Sequence, residues 1–547
     1  MSTADDLTPL RTEQLNSWTF WDLARARAEL GDKPLLTIGS DTLSYGAAFE
    51  SAAKLAGSLT RAGISRGDRV ASLGYNSTDA VTIWLACAAT GAVWVPLNVS
   101  LVGGDLGYAL RDSDPKLLIV DVELLERLDG AVPDDERPDL VVRGEGAPAG
   151  LPTLAEFADG PPAPDGAGIH PGAPMAVIYT GGSTGMPKGV LVSHTYYIGS
   201  GIRYEAIGMA TPADIHYSGG HQLFHSGGQQ LAVAGPMYAG MSSHMERWFS
   251  ASRYWEHARD CEATIIDPIG PLMAALLRQP ESTLDQSHCV RLGIGTATGQ
   301  IPPQMRAAFQ ERFGVPLLEV YSQTETGGVL ICSERDGVRR LGSSGRGEGW
   351  TELGIVDEND IFLPPGQTGE IVLRPTIPNT FMIEYLNKPE QTARGWRNLW
   401  HHTGDLGYLD EDGFLFFVGR QAHWIRRRGE NVSSYEVEYC ILGIDGVVEC
   451  AVVGLRDEEM GDEEIKAYVV QDRDASLTEP DIIDYCTSNL AYFKVPRYLE
   501  FVSELPRSGA KTEIERHVLR DRGVGNAWDR AKSGQLTKDS PGGTRHS

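Results

Sequence analysis

Tyr179-Thr-Gly-Gly-Ser-Thr-Gly-Met-Pro-Lys-Gly189 is the stretch on which the reading of this chain turns. It follows an apolar run, Met175 to Tyr179, that predicts a buried strand. Four glycines let the backbone come close to a ligand, and Thr180, Ser183 and Thr184 add hydroxyl donors. Lys188 adds a point charge, so the string predicts an anion-binding loop. A Walker loop is excluded, because GxxxxGK[ST] fails where Pro187 precedes the lysine. A bare glycine-rich turn after a strand is most often structural; the whole string is far more specific.

Working outward, short apolar β-rich runs alternate with helical segments over the first 400 residues. Arg69–Leu73, Leu117–Val120 and Leu317–Val320 are examples, each bordered by Gly/Asp/Asn turns, the texture of an α/β protein. Val81 to Leu97 reads as a buried helix running into a buried strand, since Thr82, Thr90, Gly91 and Pro96 interrupt it as a membrane span. Residues 144–174 are rich in Pro and Gly and read as a surface excursion. After Gly419-Arg420 the pattern becomes a compact αβ unit ending near Arg520, and the polar end GQLTKDSPGGTRHS is expected to be disordered. A length of 547 residues predicts two or more domains. A net charge of −26 and a pI near 4.9 argue against nucleic acid and anionic membranes as partners. Seven scattered cysteines without a CxxC pair, and an N-terminus lacking signal-peptide features, predict a cytoplasmic protein with reduced thiols.

YTGGSTGMPKGV (179–190) resembles the phosphate-loop signature of the adenylate-forming superfamily, which holds acyl- and aryl-CoA ligases, peptide-synthetase adenylation domains and luciferases. Four further strings carry the resemblance in order: residues 67–98, YSQTET (321–326), WHHTGDLGYLDEDGFLFFVGR (400–420) and RGENVSSYEVE (428–438). FKVPRYLEF (493–501) and RRRGENVSS (426–434) are similar to the carnitine/crotonobetaine-CoA ligase branch. The resemblance implies an α/β fold with a large N-terminal domain of α/β subdomains (1–420), a small mobile C-terminal α+β domain (421–525) and a disordered tail (526–547). It implies activation of an acid by ATP with Mg²⁺, then transfer to coenzyme A. Thr180, Gly181, Gly182, Ser183, Thr184, Gly185 and Lys188 would hold the phosphates. Glu325, with Thr184, would ligate Mg²⁺. Gly295, Thr296, Ala297, Tyr321, Ser322, Gln323 and Thr324 would line the nucleotide, Asp405 would bind the ribose and Arg420 the ribose or phosphate.

Three departures from that pattern bear on function. The hinge position expected to hold Asp or Lys is Ala422, followed by His423. The last motif, anchored on Ile514, Arg516, Leu519 and Arg520, places Glu513 where a lysine is usual, with Lys511 two residues away as the candidate to replace it; anchored on Pro506-Arg507 instead, it leaves Thr512 there and Lys511 one residue short. The acyl pocket is polar: His216, Tyr217, His221, Gln222 and His225 crowd one segment, and Asp267 stands where an apolar residue is common. Three histidines without partner acids at metal-ligand spacing favour packing or gating over a metal site. A long apolar chain would leave such groups unpaired, so a small polar or aromatic acid is expected, in a pocket lined by His221, His225 and Asp267. Arg426, Arg427 and Arg428 read equally as a seat for coenzyme A phosphates or as a solvated basic face. Two other functions stay open: activation of an inorganic acid such as nitrite with transfer to an aryl amine, and an inactive nucleotide-binding homologue. A homodimer is also open.

Overall fold

The computed structural model describes residues 9–162, 168–182, 185–297, 303–327, 331–332, 340, 342–347, 349–420, 424–427, 430–457, 462–473, 475–507 and 514–533. The chain divides into two compact units. The first holds Met1–Thr298, Met305–Leu353 and Val372–Thr403; the second gathers Gly354–Ile371 with the chain from Gly404 onward.

The first unit contains two large sheets among its described residues. In one, the order is Glu384–Tyr385, Gly185–Ser193, Pro174–Gly182, Val93–Leu97, Arg69–Leu73, Leu117–Asp121 and Asp139–Arg143. The predicted helix-into-strand run is present as helix Thr78–Thr90 and strand Val93–Leu97. Ser77 caps that helix on the Ala80 N–H, and Gly91, at φ 75°, ends it in the left-handed conformation that glycine tolerates. All five residues of the strand are buried, as strands covered on both faces are. Trp84 fixes the packing: its ring centroid lies 4.5 Å from Phe20, 4.7 Å from Tyr197 and 5.3 Å from Trp94. Truncating it to Ala would cost ~3–5 kcal/mol.

The second sheet sets strands Leu317–Tyr321, Leu292–Ala297, Ile265–Ile266, Ile215–Ser218 and Ser242–Met245 side by side, all parallel. Parallel strands deliver their carboxyl ends to one edge, where ligands of open α/β sheets bind. Tyr321, Ala297, Asp267 and the Gly219–His221 turn lie at or just beyond those ends. A seven-residue π-helix, Gly228–Ala234, follows the histidine-rich segment, with the Gly235 N–H donating five residues back to Gln230.

In the second unit, strands Val447–Asp457, Asp462–Gln471, Tyr498–Phe501 and Trp528–Asp529 form a sheet with helices Ser434–Leu442 and Glu479–Asn489. Trp528 pairs with Leu499, and Asp529 takes a 3.4 Å ion pair from Arg497. Ordered chain therefore runs into the segment expected to be loose from residue 526, because the Trp528 ring packs on the unit's core; residues 534–547 lie outside the described residues. No helix of the described residues is long and apolar enough to cross a membrane.

Candidate active site

The string that opened the sequence reading forms a β-hairpin rather than an open loop. Strands Pro174–Gly182 and Gly185–Ser193 pair with Tyr179 opposite Gly189, Thr180 opposite Lys188, and Gly182 opposite Gly185. Apolar, β-branched residues on both arms, among them Val177, Ile178, Val190 and Val192, carry the pairing almost to the turn. Ser183 and Thr184 lie outside the described residues. The hairpin is braced from one side. Tyr179 donates to Asp112 Oδ2 at 2.9 Å, Tyr108 donates to the Pro187 carbonyl at 3.1 Å, and Lys388 joins Tyr108 (2.8 Å) to Asp112 (3.3 Å).

On the other side the hairpin meets the predicted metal ligand. The Tyr385 hydroxyl donates to Glu325 Oε1 at 2.9 Å, and the Lys188 ammonium lies 4.9 Å from the Tyr385 ring centroid. Tyr385 reaches this place because Glu384–Tyr385 pairs with Val190 and Leu191. Burial, then the Glu325 carboxylate, push the Tyr385 hydroxyl well above the ordinary tyrosine range, so it remains a donor. Glu325 sits in a 3₁₀ turn, Thr324–Thr326, not at the start of a longer helix. That turn is tied down at every residue. Tyr196 donates to the Thr324 carbonyl at 2.9 Å, Ser226 lies 3.1 Å from the Thr324 hydroxyl, and the Met382 N–H donates to the Glu325 carbonyl at 2.8 Å. The turn closes on Gly327, at φ 81°, whose missing Cβ leaves room for the Thr380 carbonyl. Gln323 donates to the Thr403 carbonyl at 2.9 Å, joining YSQTET to the start of WHHTGD. Tyr321 is buried at its strand end, Ser322 is exposed, and Thr296 and Ala297 lie beside Glu319 and Val320 on the neighbouring strand.

The histidines separate. His216 is fully buried between the Tyr204 hydroxyl (2.8 Å) and Asp267 Oδ2 (3.2 Å), a packed core residue. His221 lies at the edge of the same cluster, and Asn76 holds its backbone by donating to its carbonyl at 2.9 Å while accepting from the Leu223 N–H. His225 packs on Phe224. Among the described residues no group of three or more His, Cys, Asp or Glu is arranged to hold a metal ion.

Within the second unit, Asp405 lies opposite Arg420 in a hairpin of His401–Leu409 with Leu415–Arg420, and Gly404 before it turns at φ 68°. Arg427 belongs to neither of its expected roles: it is buried, donates to the Phe493 and Val495 carbonyls, and pairs with Glu464 at 2.6 Å. Packing against strand Asp462–Gln471 has absorbed its charge. Ala422, His423, Arg428, Lys511 and Glu513 lie outside the described residues. Tyr385, Tyr196 and Asn76 were missed by sequence reasoning; the hydroxyls and the amide act on residues distant in the chain, and no local motif marks them.

Residues 23–383 match the AMP-binding enzyme family and residues 436–511 the AMP-binding enzyme C-terminal domain. The chain is an AMP-binding enzyme. This AMP-binding enzyme is 31% identical to a crotonobetaine/carnitine–CoA ligase of Citrobacter koseri over 486 residues, 87% of this chain and 92% of the relative. Its fold is similar to that of the anthranilate CoA ligase AuaEII in complex with anthranoyl-AMP, with a TM-score of 0.82 and 25% identity over 95% of this chain and 99% of that one. ATP-bound MatB from Rhodopseudomonas palustris gives a TM-score of 0.82 at 26% identity, over 92% and 98% of the two chains. The AMP-binding enzyme described here is thus an ATP-dependent adenylate-forming ligase of the carnitine-CoA ligase-like branch, with the large and small α/β parts of that fold.

Proposed function

We propose that this ligase activates a small polar or aromatic acid as its adenylate, releasing pyrophosphate, and then passes the acyl group to the coenzyme A thiol in the cytoplasm. One observation carries the reading: a single tyrosine joins the phosphate-hairpin lysine to the acidic residue of the YSQTET turn. The free thiols of Cys87, Cys261, Cys289, Cys440, Cys450 and Cys486 agree with a reducing compartment.

In-line attack of a carboxylate on the α-phosphate spreads negative charge over phosphate oxygens and needs preorganised donors. Lys188 and the hairpin around Thr180 to Gly185 supply them for the β- and γ-phosphates. Glu325 fits Mg²⁺, a hard cation commonly held by one or two carboxylates together with substrate phosphates; when bound, the ion offsets phosphate charge. Tyr385 orients the Glu325 carboxylate for that task. Gly295, Thr296, Ala297 and Tyr321 frame the adenine, Asp405 accepts from the ribose hydroxyls and Arg420 donates nearby. The working domains divide at residue 420, with Ala422 as the hinge of the C-terminal part. With Arg427 buried, Arg426 and Arg428 remain for the coenzyme's phosphates.

The test is a pyrophosphate-release screen over aryl, betaine-like and short acyl acids, plus nitrite with an aryl amine, with and without coenzyme A. Release with an acid, and thioester only when coenzyme A is added, is the expected result. Release that requires nitrite and an aryl amine would replace this reading with the diazo-forming one, and silence with every acid would leave a binding protein.

A further inference from the structure

Strands Ile215–Ser218 and Ile265–Ile266 run in register, Tyr217 beside Ile266, so the residues that follow at the carboxyl edge are Ser218 and Asp267. Asp267 is 1% exposed. Its Oδ2 takes the His216 hydrogen bond at 3.2 Å, while Oδ1 has no partner among the described residues. His221 Nε2 stands 3.9 Å from Oδ2, too far to bond it, and is equally buried without a partner. The His221 side chain is 14% exposed although its Nε2 is buried, so the ring borders the accessible side of the edge with its other atoms. The Tyr254 and Ser218 hydroxyls are also buried and unpaired among the described residues. Buried polar atoms in folded proteins are nearly always bonded, so Asp267 Oδ1 and the neighbouring His221 Nε2, unpaired among the described residues, mark the position of a polar ligand group. Asn76 and the π-helix hold the His221 segment in place: a Cβ on Gly227 would stand 2.8 Å from the His221 ring.

We propose that Asp267 and His221 together read a hydroxyl or amino substituent on the acid, which makes the substrate a small hydroxy- or amino-substituted acid. This deepens, and rests on, the adenylation reading above. The O–H of a hydroxyl or the N–H of an unprotonated aryl amine donates to Asp267 Oδ1, and its lone pair accepts from His221 in the tautomer that carries its proton on Nε2. One such group satisfies both atoms at once. A trimethylammonium group can neither donate nor accept, and a bare ring leaves both atoms unpaired. Specificity of this kind is steep, because a site built to bond a polar group rejects the analogue lacking it.

The experiment compares kcat/KM for pyrophosphate release between benzoate and its hydroxy and amino derivatives at each ring position, with a trimethylammonium acid alongside. The best donor-bearing acid is expected to exceed benzoate by at least ~100-fold. Asp267→Asn should bring that ratio within about tenfold, since one amide oxygen cannot serve both His216 and the substrate. His221→Phe, which leaves the Asp267–His216 bond intact, should lower the ratio as well and covers the case of a poorly folding Asp267 variant. Equal rates for the matched acids, preference for the trimethylammonium acid, or an unchanged ratio in both variants overturns the proposal. If no acid releases pyrophosphate, the adenylation reading falls. The same pairs are then compared by calorimetric binding, where loss of preference in the variants supports Asp267 as the reader and its persistence rejects it.

Discussion

The Tyr385 hydroxyl donates a 2.9 Å hydrogen bond to Glu325 Oε1, across 60 residues of sequence. The same ring carries the Lys188 ammonium on its face. The charge proposed for ATP and the carboxylate proposed for Mg²⁺ are therefore held to one side chain, and the two contacts of Tyr385 can be pulled apart.

Tyr385→Phe keeps the ring and removes the donor. A hydrogen bond to a charged group is worth ~1.5–3 kcal/mol. We expect kcat/KM for ATP to fall by about tenfold or more and the Mg²⁺ titration to move to higher concentration. Tyr385→Leu removes both contacts and should be worse. A Phe variant with an unchanged Mg²⁺ titration would leave the hydroxyl without a role in metal use.

Lys188→Ala should weaken ATP use without lowering the melting temperature, because Lys188 is partly exposed and its ammonium meets an aromatic face. Glu325→Gln should bind ATP nearly as well but need more Mg²⁺, one hard anionic donor having been lost. Nucleotide turnover equal to the parent in Lys188→Ala would remove the phosphate role of the hairpin.

Arg507 and Ile514, which precede and follow Lys511 and Glu513 in the chain, pair in an antiparallel bridge. If Lys511 performs the charge-bridging task of the family's last motif, Lys511→Ala should reduce adenylate formation by ~100-fold, the scale of losing one preorganised donor. Thioester formation from preformed acyl-adenylate should be spared. A harmless Lys511→Ala together with a dead Glu513→Lys would show that the negative charge is itself required.

Glu438 lies buried in a bidentate pair with Arg516 (2.8 and 2.7 Å) and accepts the Val452 N–H at 2.6 Å. Glu438→Ala would strand the Arg516 charge in the interior, at a cost of about 3–5 kcal/mol to the second unit. Urea unfolding followed by fluorescence should show it. Adding Arg516→Met should recover part of the loss.

Asp214 offers a pH test in the first unit. Burial raises its pKa, but hydrogen bonds from Arg291, from the Thr211 N–H and hydroxyl and from Thr264 win, holding it at about 2 against an ordinary 3.8. A depressed carboxyl stabilises the fold above its unfolded pKa and loses that contribution as pH falls from 3.8 toward 2. Asp214→Asn should therefore destabilise by ~1–2 kcal/mol at pH 7. The gap between variant and parent in urea midpoint should close near pH 2.

The fold and the strings that carry the family resemblance were legible because they are local. Gly-rich turns, alternating β-rich runs and the TGD and YSQTET strings each occupy a dozen residues or fewer, and Arg69–Leu73 is a strand with the bounds its composition suggests. What stayed hidden depends on partners far along the chain. Tyr385 lies in a two-residue strand with no signal of its own until it pairs with Val190. Arg427 looks solvated in an RRR run, yet strand pairing turns it inward to Glu464. The three histidines read alike in sequence, and tertiary packing alone gives His216 two partners while leaving His221 Nε2 with none among the described residues. The hairpin replaced an open loop because neighbouring β-branched residues outweighed the glycines.

The π-helix at Gly228–Ala234 gives the pocket wall a route to heritable change. A π turn accommodates one residue more than an α turn, so losing a single codon between 228 and 234 can be absorbed as ordinary α-helix. The chain on either side would keep its facing, because the π turn already spends one residue more on the same rotation. Only the side chains between Gly228 and Ala234, Gln230 and Leu231 among them, would be redistributed around the axis, while the hairpin, the Glu325 turn and the second unit keep their sequences. The helix can thus change the face it presents by indel as well as by substitution.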